Sequence, residues 1–181
     1  EMAKLAGGVG VAVVPEDGSF QPSVPDIADK VGSYTKAIIL NSPNNPSGVV
    51  YKEEFIAQIV DFCERKKIYL IMDDIYHKLV FDGRVAPPCY RFTTKDLEDS
   101  RLIVVNGIAK LYGMTGFRIG WCVASKEMIT AMDIFQQNSV TNVPAFVQIA
   151  ALAAITGPQE HVIETTARLQ AKRDRIVAAL N

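Results

Sequence analysis

Three apolar runs in this chain each end near a small polar cluster. Ala37–Leu40 (AIIL) leads to Asn44 and Asn45, Ile68–Met72 (IYLIM) to Asp73, Asp74 and Tyr76, and Leu102–Val105 (LIVV) to Lys110, with Arg118 eight residues further on. Together these clusters offer carboxamides, a carboxylate, a phenol, an amine and a guanidinium. No metal site is built from such a set; it suits a small ligand that is anionic at one end and carries a ring nitrogen at the other. Each residue alone has an ordinary explanation. A lysine near a strand end is usually solvated, an aspartate there is a turn former or helix cap, and Asn45 before Pro46 and Gly48 can simply build a turn. Tyr76 alone is a half-buried packing residue, and Arg118 alone an ion-pairing residue at a strand start. Asp74 reads as structural, His77 and His161 as surface or packing residues, and Met114, Phe117 and Trp121 as core.

The elements that must position these groups can be read from periodicity and turn chemistry. Val9–Val14 (VGVAVV) predicts a first strand, ending in the turn Pro15–Gly18. Asp26–Val31 predicts a short helix. Ala37–Leu40 predicts a buried strand followed by the loop Asn41–Gly48 (NSPNNPSG). Over Lys52–Lys67, Phe55, Ile59, Phe62 and Cys63 recur at helical spacing, with glutamates in the first turn and lysines at the end, which matches the helix dipole. Ile68–Met72 and Leu102–Val105 predict strands apolar on both faces, and Ile119–Ala124 (IGWCVA) a further strand. Ser125 is placed to cap a helix over Lys126–Gln137. Val143–Thr156 predicts a mostly buried helix closed by Gly157. Pro158 then opens a long terminal helix, with Val162, Ile163, Leu169, Ile176 and Leu180 near one stripe. Strands alternating with helices imply a three-layer α/β/α sandwich with a mostly parallel sheet, because parallel neighbours need helical crossovers. Ligands of such sheets gather beyond the carboxyl ends of the strands. The three polar clusters are expected at that edge.

Composition narrows the partners. With 19 basic and 20 acidic residues interspersed over 181, the net charge is −1, so no electrostatic footprint for nucleic acid or an anionic membrane is present. No segment reaches the roughly 18 uninterrupted apolar residues of a membrane span. Cys63, Cys89 and Cys122 are odd in number, far apart and set in or beside apolar stretches, which predicts reduced thiols in a cytoplasmic protein rather than disulfides or a zinc site. The chain opens at Glu1 without an initiator Met and stops at Asn181 inside an expected helix. The expectation is therefore one domain over 1–181, cut from a longer protein.

The stretches Asn41–Gly48 (NSPNNPSG), Asp73–Tyr76 (DDIY) and Val105–Trp121 (VNGIAKLYGMTGFRIGW), in this order and spacing, resemble the fold-type I pyridoxal-phosphate-dependent aminotransferases of classes I and II. Leu5–Pro15 (LAGGVGVAVVP) extends the resemblance over nearly the whole chain. It implies a partial large, cofactor-binding domain, in which the strand Ile119–Ala124 is antiparallel, and pyridoxal 5'-phosphate as cofactor. It also implies an amino acid and a 2-oxo acid as substrates, and a homodimeric parent enzyme. Residue by residue, Lys110 matches the lysine that holds the cofactor as a Schiff base and then carries protons. Asp73 matches the carboxylate that pairs with the pyridine nitrogen. Asn45 and Tyr76 match the donors to the cofactor's phenolic oxygen, and Arg118 the phosphate-binding arginine.

This chain departs from the family pattern at three positions. Where many relatives carry hydroxyl residues just before the lysine and three before it, this chain has Ala109 and Gly107, as some branches do. The threonine of the common Asn-Pro-Thr-Gly turn is Ser47 here, a change expected to preserve the turn. The family's upstream phosphate loop and ring-stacking aromatic have no counterpart in the chain. Its downstream small domain, with the arginine for the substrate carboxylate, has none either. Little or no turnover is expected of these 181 residues alone. Two other activities fit the same residues: pyridoxal-phosphate-dependent C–S lyase chemistry, and the aminotransferase-like effector domain of a transcription regulator.

Overall fold

A computed structural model of the protein describes residues 2–15 and 18–181. Four strands form one sheet in the order β1-β2-β3-β4: β1 (Ala37–Asn41), β2 (Tyr69–Asp73), β3 (Leu102–Gly107) and β4 (Gly120–Val123). The first three are parallel, as the alternation of strands and helices predicts, and β4 runs antiparallel against β3, as the family resemblance implies. Register places Asn41 beside Asp73 and Asp73 beside Val105, so the carboxyl ends of β1 and β2 are level.

Six helices are present among the described residues. The first two are short, α1 (Met2–Leu5) and α2 (Val24–Ala28), followed by α3 (Glu53–Lys66) and α4 (Lys126–Ser139). The last are α5 (Ala145–Thr156) and α6 (Glu160–Leu180). Helix α3 crosses over from β1 to β2 and buries Phe55, Ile56, Ile59, Val60, Phe62 and Cys63. These side chains pack on Leu40, Leu70, Met72 and Leu102 to make the core, each large one contributing about 1.5–3 kcal/mol. The β2–β3 crossover, by contrast, is not an α-helix. It is an irregular segment with one 3₁₀ turn, Cys89–Phe92, whose Cys89 joins the same core cluster. Both crossovers therefore cover one face of the sheet, as right-handed connections between strands added in sequence order must.

The opposite face carries Ile39, Ile71, Asp73, Val105 and Cys122, because side chains alternate along paired strands. Helix α4 reaches this side through Met132 Sδ, 3.4 Å from Cys122 Sγ, but buries none of its own residues. Towards β1 the cover runs out, and Ile39 is 67% exposed.

The structure corrects several expectations. Val9–Val14 is not a strand: the segment has no regular structure, and Val9, Val11 and Val14 are exposed while Val13 leans on the core. β propensity does not make a strand without a neighbour to pair with. Two residues of the expected turn after it, Glu16 and Asp17, lie outside the described residues. The short helix starts two residues early, at Val24, because Ser23 caps it: its Oγ accepts from Asp26 N at 3.2 Å while Asp26 Oδ2 accepts from Ser23 N at 2.8 Å. Helix α5 is not mostly buried; only Val147 and Ala151 are, and Phe146, Ile149 and Leu152 stand exposed. Pro158 precedes α6 instead of opening it, with Gln159 at the N-cap. Of that helix's expected stripe, Val162 is buried but Ile163, Ile176 and Leu180 are exposed. The helix is held instead by polar ties, Arg173 making paired 2.6 Å bonds to Asp82. Phe117 and Trp121, expected in the core, are exposed. None of the described helices is long and apolar enough to cross a membrane.

One close approach sets the β3–β4 pairing. Gly107 and Gly120 face each other across it, and a Cβ on Gly120 would sit 2.8 Å from Asn106 O. Gly120→Ala must push the two backbones apart, and we expect a loss of about 1–3 kcal/mol in urea unfolding.

Candidate functional site

The three polar clusters lie at the carboxyl ends of β1, β2 and β3. The loop after β1 is braced by its own side chains: Ser47 Oγ donates to Asn44 Oδ1 at 2.7 Å, and Gly48 N donates to Asn44 O at 2.8 Å. Gly48 adopts φ +73°, a conformation that favours glycine. Ser47 thus performs the turn role expected of it. The turn presents Asn45, whose Nδ2 donates to Tyr76 OH at 3.4 Å. Tyr76 comes after β2, and over its ring, 5.9 Å from the centroid, lies Lys110 Nζ from the loop after β3. A carboxamide, a phenol and an amine from three strand ends are therefore brought together, as the spacing in sequence predicts.

Asp73 is the last residue of β2 and half-buried. Its Oδ1 accepts from Ile75 N at 3.1 Å, which fixes the carboxylate to the turn that carries Tyr76. Arg118 is not gathered with the others. It sits exposed at φ +52°, and its Nη1 donates to Thr115 O, 3.1 Å away in the same turn.

Asp74 proves more than a surface cap. It is buried, and burial first, then the neighbouring Asp73 charge, pushes its carboxyl up to about 7. Burial and the Asp74 charge likewise push the Cys89 thiol up to about 12. In the folded protein Asp74 keeps a proton that an unfolded chain loses above its ordinary 3.8. The protein therefore loses stability as pH rises from about 4 to about 7, and the loss is complete above that window. Asparagine does not titrate, so Asp74→Asn should be more stable than the parent at pH 8 by about 1–2 kcal/mol and indistinguishable from it near pH 4. Paired urea melts at the two pH values measure this.

Residues that were given no role from the sequence also shape the site. Asn41 bonds to both Asp73 and Asn45. His77, expected at the surface or in packing, is half-buried, with Nδ1 3.0 Å from both Asp74 O and Asn106 Nδ2, so that it either donates to the first or accepts from the second. Polar residues immediately beside an expected strand end were the available signal. Gly107, where many relatives carry a hydroxyl, is buried, and a Cβ there would meet Ile119 O at 3.0 Å and Ile75 Cδ1 at 3.2 Å. A side chain at that position is tightly confined, and Ile119, Gly120 or Ile75 would have to give by a few tenths of an ångström to admit one.

Known proteins resemble this chain in sequence and fold. A family model, aminotransferase class I and II, matches residues 1–181. The chain belongs to the class I and II aminotransferases. A probable aspartate/prephenate aminotransferase of Aquifex aeolicus is 36% identical over 100% of this chain and 46% of the relative. An aspartate aminotransferase of Bacillus subtilis is 33% identical over 99% of this chain and 46% of its own length. Among solved structures, the aspartate aminotransferase of Thermotoga maritima superposes with a TM-score of 0.86 at 29% identity, over 97% of this chain and 45% of that one. The aromatic aminotransferase of Pyrococcus horikoshii gives 0.82 at 31% identity, over 94% and 45%. The chain thus spans about half the length of the aminotransferases it matches.

The aminotransferase family implies pyridoxal phosphate, and the donors present fit that group. A primary amine, two neutral hydrogen-bond donors and a carboxylate line neighbouring strand ends. Lys110 Nζ has no hydrogen-bond or ion-pair partner among the described residues, which leaves the amine available for a carbonyl carbon.

Proposed function

We propose that this chain carries the cofactor half of an aminotransferase active site. The whole protein would move an amino group between an amino acid and a 2-oxo acid. The observation that carries this reading is the meeting of Asn45, Tyr76 and Lys110, from three separate strand ends, with Asn45 at the Tyr76 hydroxyl and Lys110 over the Tyr76 ring. The names of the relatives, aspartate and aspartate/prephenate aminotransferase, bring an acidic amino donor into the proposal. The cytoplasm and a homodimer are the setting it implies.

When bound, pyridoxal phosphate supplies an electron sink that makes the α-proton of an amino acid acidic. Lys110 Nζ would hold the cofactor and would serve as the group that moves the proton at the substrate α-carbon. The Asp73 carboxylate holds a proton on the ring nitrogen. Asn45 Nδ2 and the Tyr76 hydroxyl donate to the phenolic oxygen and orient the ring. The Arg118 guanidinium, exposed at the start of β4, binds phosphate through its planar fork. Within this reading the isolated chain turns over little or not at all, because the groups that grip the substrate carboxylate lie elsewhere in the protein.

Reduction with borohydride of the full-length protein loaded with pyridoxal phosphate, followed by peptide mass mapping, tests the assignment. The label belongs on Lys110. A label on any other lysine refutes it.

A further inference from the structure

We propose that Asn41 is a positioning residue, whose carboxamide staples the loop bearing Asn45 to the backbone of Asp73 and thereby aims Asn45 at Tyr76. The proposal deepens the functional reading above and rests on it. Asn41 ends β1 directly beside Asp73 in the parallel register. Its Nδ2 donates to Asp73 O at 3.0 Å, and its Oδ1 accepts from Asn45 N at 2.8 Å. One planar group therefore grips the end of the neighbouring strand with its donor and the functional loop with its acceptor.

Turn formation alone does not account for this pair of bonds. An asparagine that only built the turn would need its acceptor half, toward Asn45 N. The donor half reaches a residue 32 positions away in sequence, and Asp73 O also receives Ser42 N at 3.4 Å. A second brace, Asn44 Nδ2 to Asn41 O at 3.4 Å, ties the loop to the same point. Asparagine suits the place because its side chain combines donor and acceptor; an aspartate would set a carboxylate oxygen against the Asp73 carbonyl, and an aliphatic residue would leave Asn45 N unmet and Asp73 O with only the longer bond from Ser42 N. The bond that Asn41 supports, Asn45 Nδ2 to Tyr76 OH, is already 3.4 Å long. Hydrogen bonds of that length weaken steeply with small displacements.

The test uses the full-length protein loaded with pyridoxal phosphate and reads the pH midpoint of the bound cofactor's visible absorbance. A donor to the phenolic oxygen favours its anionic form, so losing that donor raises the midpoint. Asn45→Ala should raise it directly. Asn41→Ala should raise it by about half a pH unit, roughly a threefold change in proton affinity. Because Asn41 acts through Asn45, the double variant should match Asn45→Ala alone, whereas independent effects would add. Asp73, Asp74, Tyr76, His77, Lys110 and Arg118, the titratable and charged groups at these strand ends, are unchanged throughout. Should Asn41→Ala fold poorly, Asn41→Ser, whose hydroxyl is too short to span both partners, should give the same upward shift.

A midpoint unmoved by both Asn41 variants while Asn45→Ala shifts it overturns the proposal, and so does an additive double variant. A wild-type protein that takes no label on Lys110, or an Asn45→Ala variant with the wild-type midpoint, overturns the functional reading beneath it and this inference with it. Those results are told apart because they appear without any Asn41 substitution.

Discussion

Lys110→Ala in the full-length protein is expected to lower kcat for transamination at least about 10⁴-fold. Its unfolding free energy should stay within about 0.5 kcal/mol of wild type. The two halves of this expectation have separate physical grounds. The side chain is exposed and its amine has no hydrogen-bond or ion-pair partner among the described residues, so the fold does not depend on it. The proposed chemistry depends on it twice, as the cofactor's covalent anchor and as the group that moves the proton at the substrate α-carbon. No other described lysine approaches the Tyr76 ring as Lys110 does. Lys110→Arg should be just as inactive, because a guanidinium keeps its proton at any working pH and can act neither as nucleophile nor as base. Steady-state kinetics with an acidic amino donor decide the matter. Turnover within tenfold of wild type in either variant contradicts the assignment.

The second large effect is expected at Asp73. Asp73→Asn keeps an oxygen to accept from Ile75 N, the 3.1 Å bond that orients the wild-type carboxylate, so the turn leading to Tyr76 should survive. The charge alone disappears. Without it the ring nitrogen no longer holds its proton, and the electron sink weakens where negative charge develops in the transition state. We expect kcat/KM to fall by about 10²–10³-fold. Cofactor affinity should change by less than about tenfold, because the covalent link and the other contacts remain. The substitution also relieves Asp74 of the like charge that adds to its upward shift, so the pH window of Asp74-linked stability should move toward lower pH. Equal losses in cofactor binding and in turnover would instead make Asp73 a simple binding group.

The tolerance of the two ends of the site should differ for a structural reason. Asn45, Tyr76 and Lys110 are already assembled around one another within this chain. Arg118 faces its own turn at Thr115 O, so its role in phosphate binding depends on partners that the described residues do not supply.

The order and type of most elements were legible from local sequence alone. Ala37–Leu40, Ile68–Met72 and Leu102–Val105 are apolar, short and bounded by turn residues, and all three are strands, although β1 is only partly covered, with Ile39 67% exposed against an expectation of burial. The amphipathic stripe of Lys52–Lys67 allows only a helix packed on them. The candidate site was legible for the same reason: in a parallel α/β sheet, the residues next after a strand in sequence lie at its carboxyl end in space. Three polar clusters after three such strands must therefore share an edge. Tertiary context decided the rest. Val9–Val14 has the composition of a strand but no neighbour to bond with. Phe146, Ile149 and Leu152 have the composition of a core but nothing among the described residues to cover them. Asp74 looks like Asp73 on paper and differs only because strand alternation sends one of two adjacent carboxylates to each side of the sheet. Asn41 gains its second partner from a residue 32 positions away. Sequence spacing reports the periodicity of one element at a time, whereas burial and long-range hydrogen bonds depend on which elements meet, and that exists only once the chain has folded.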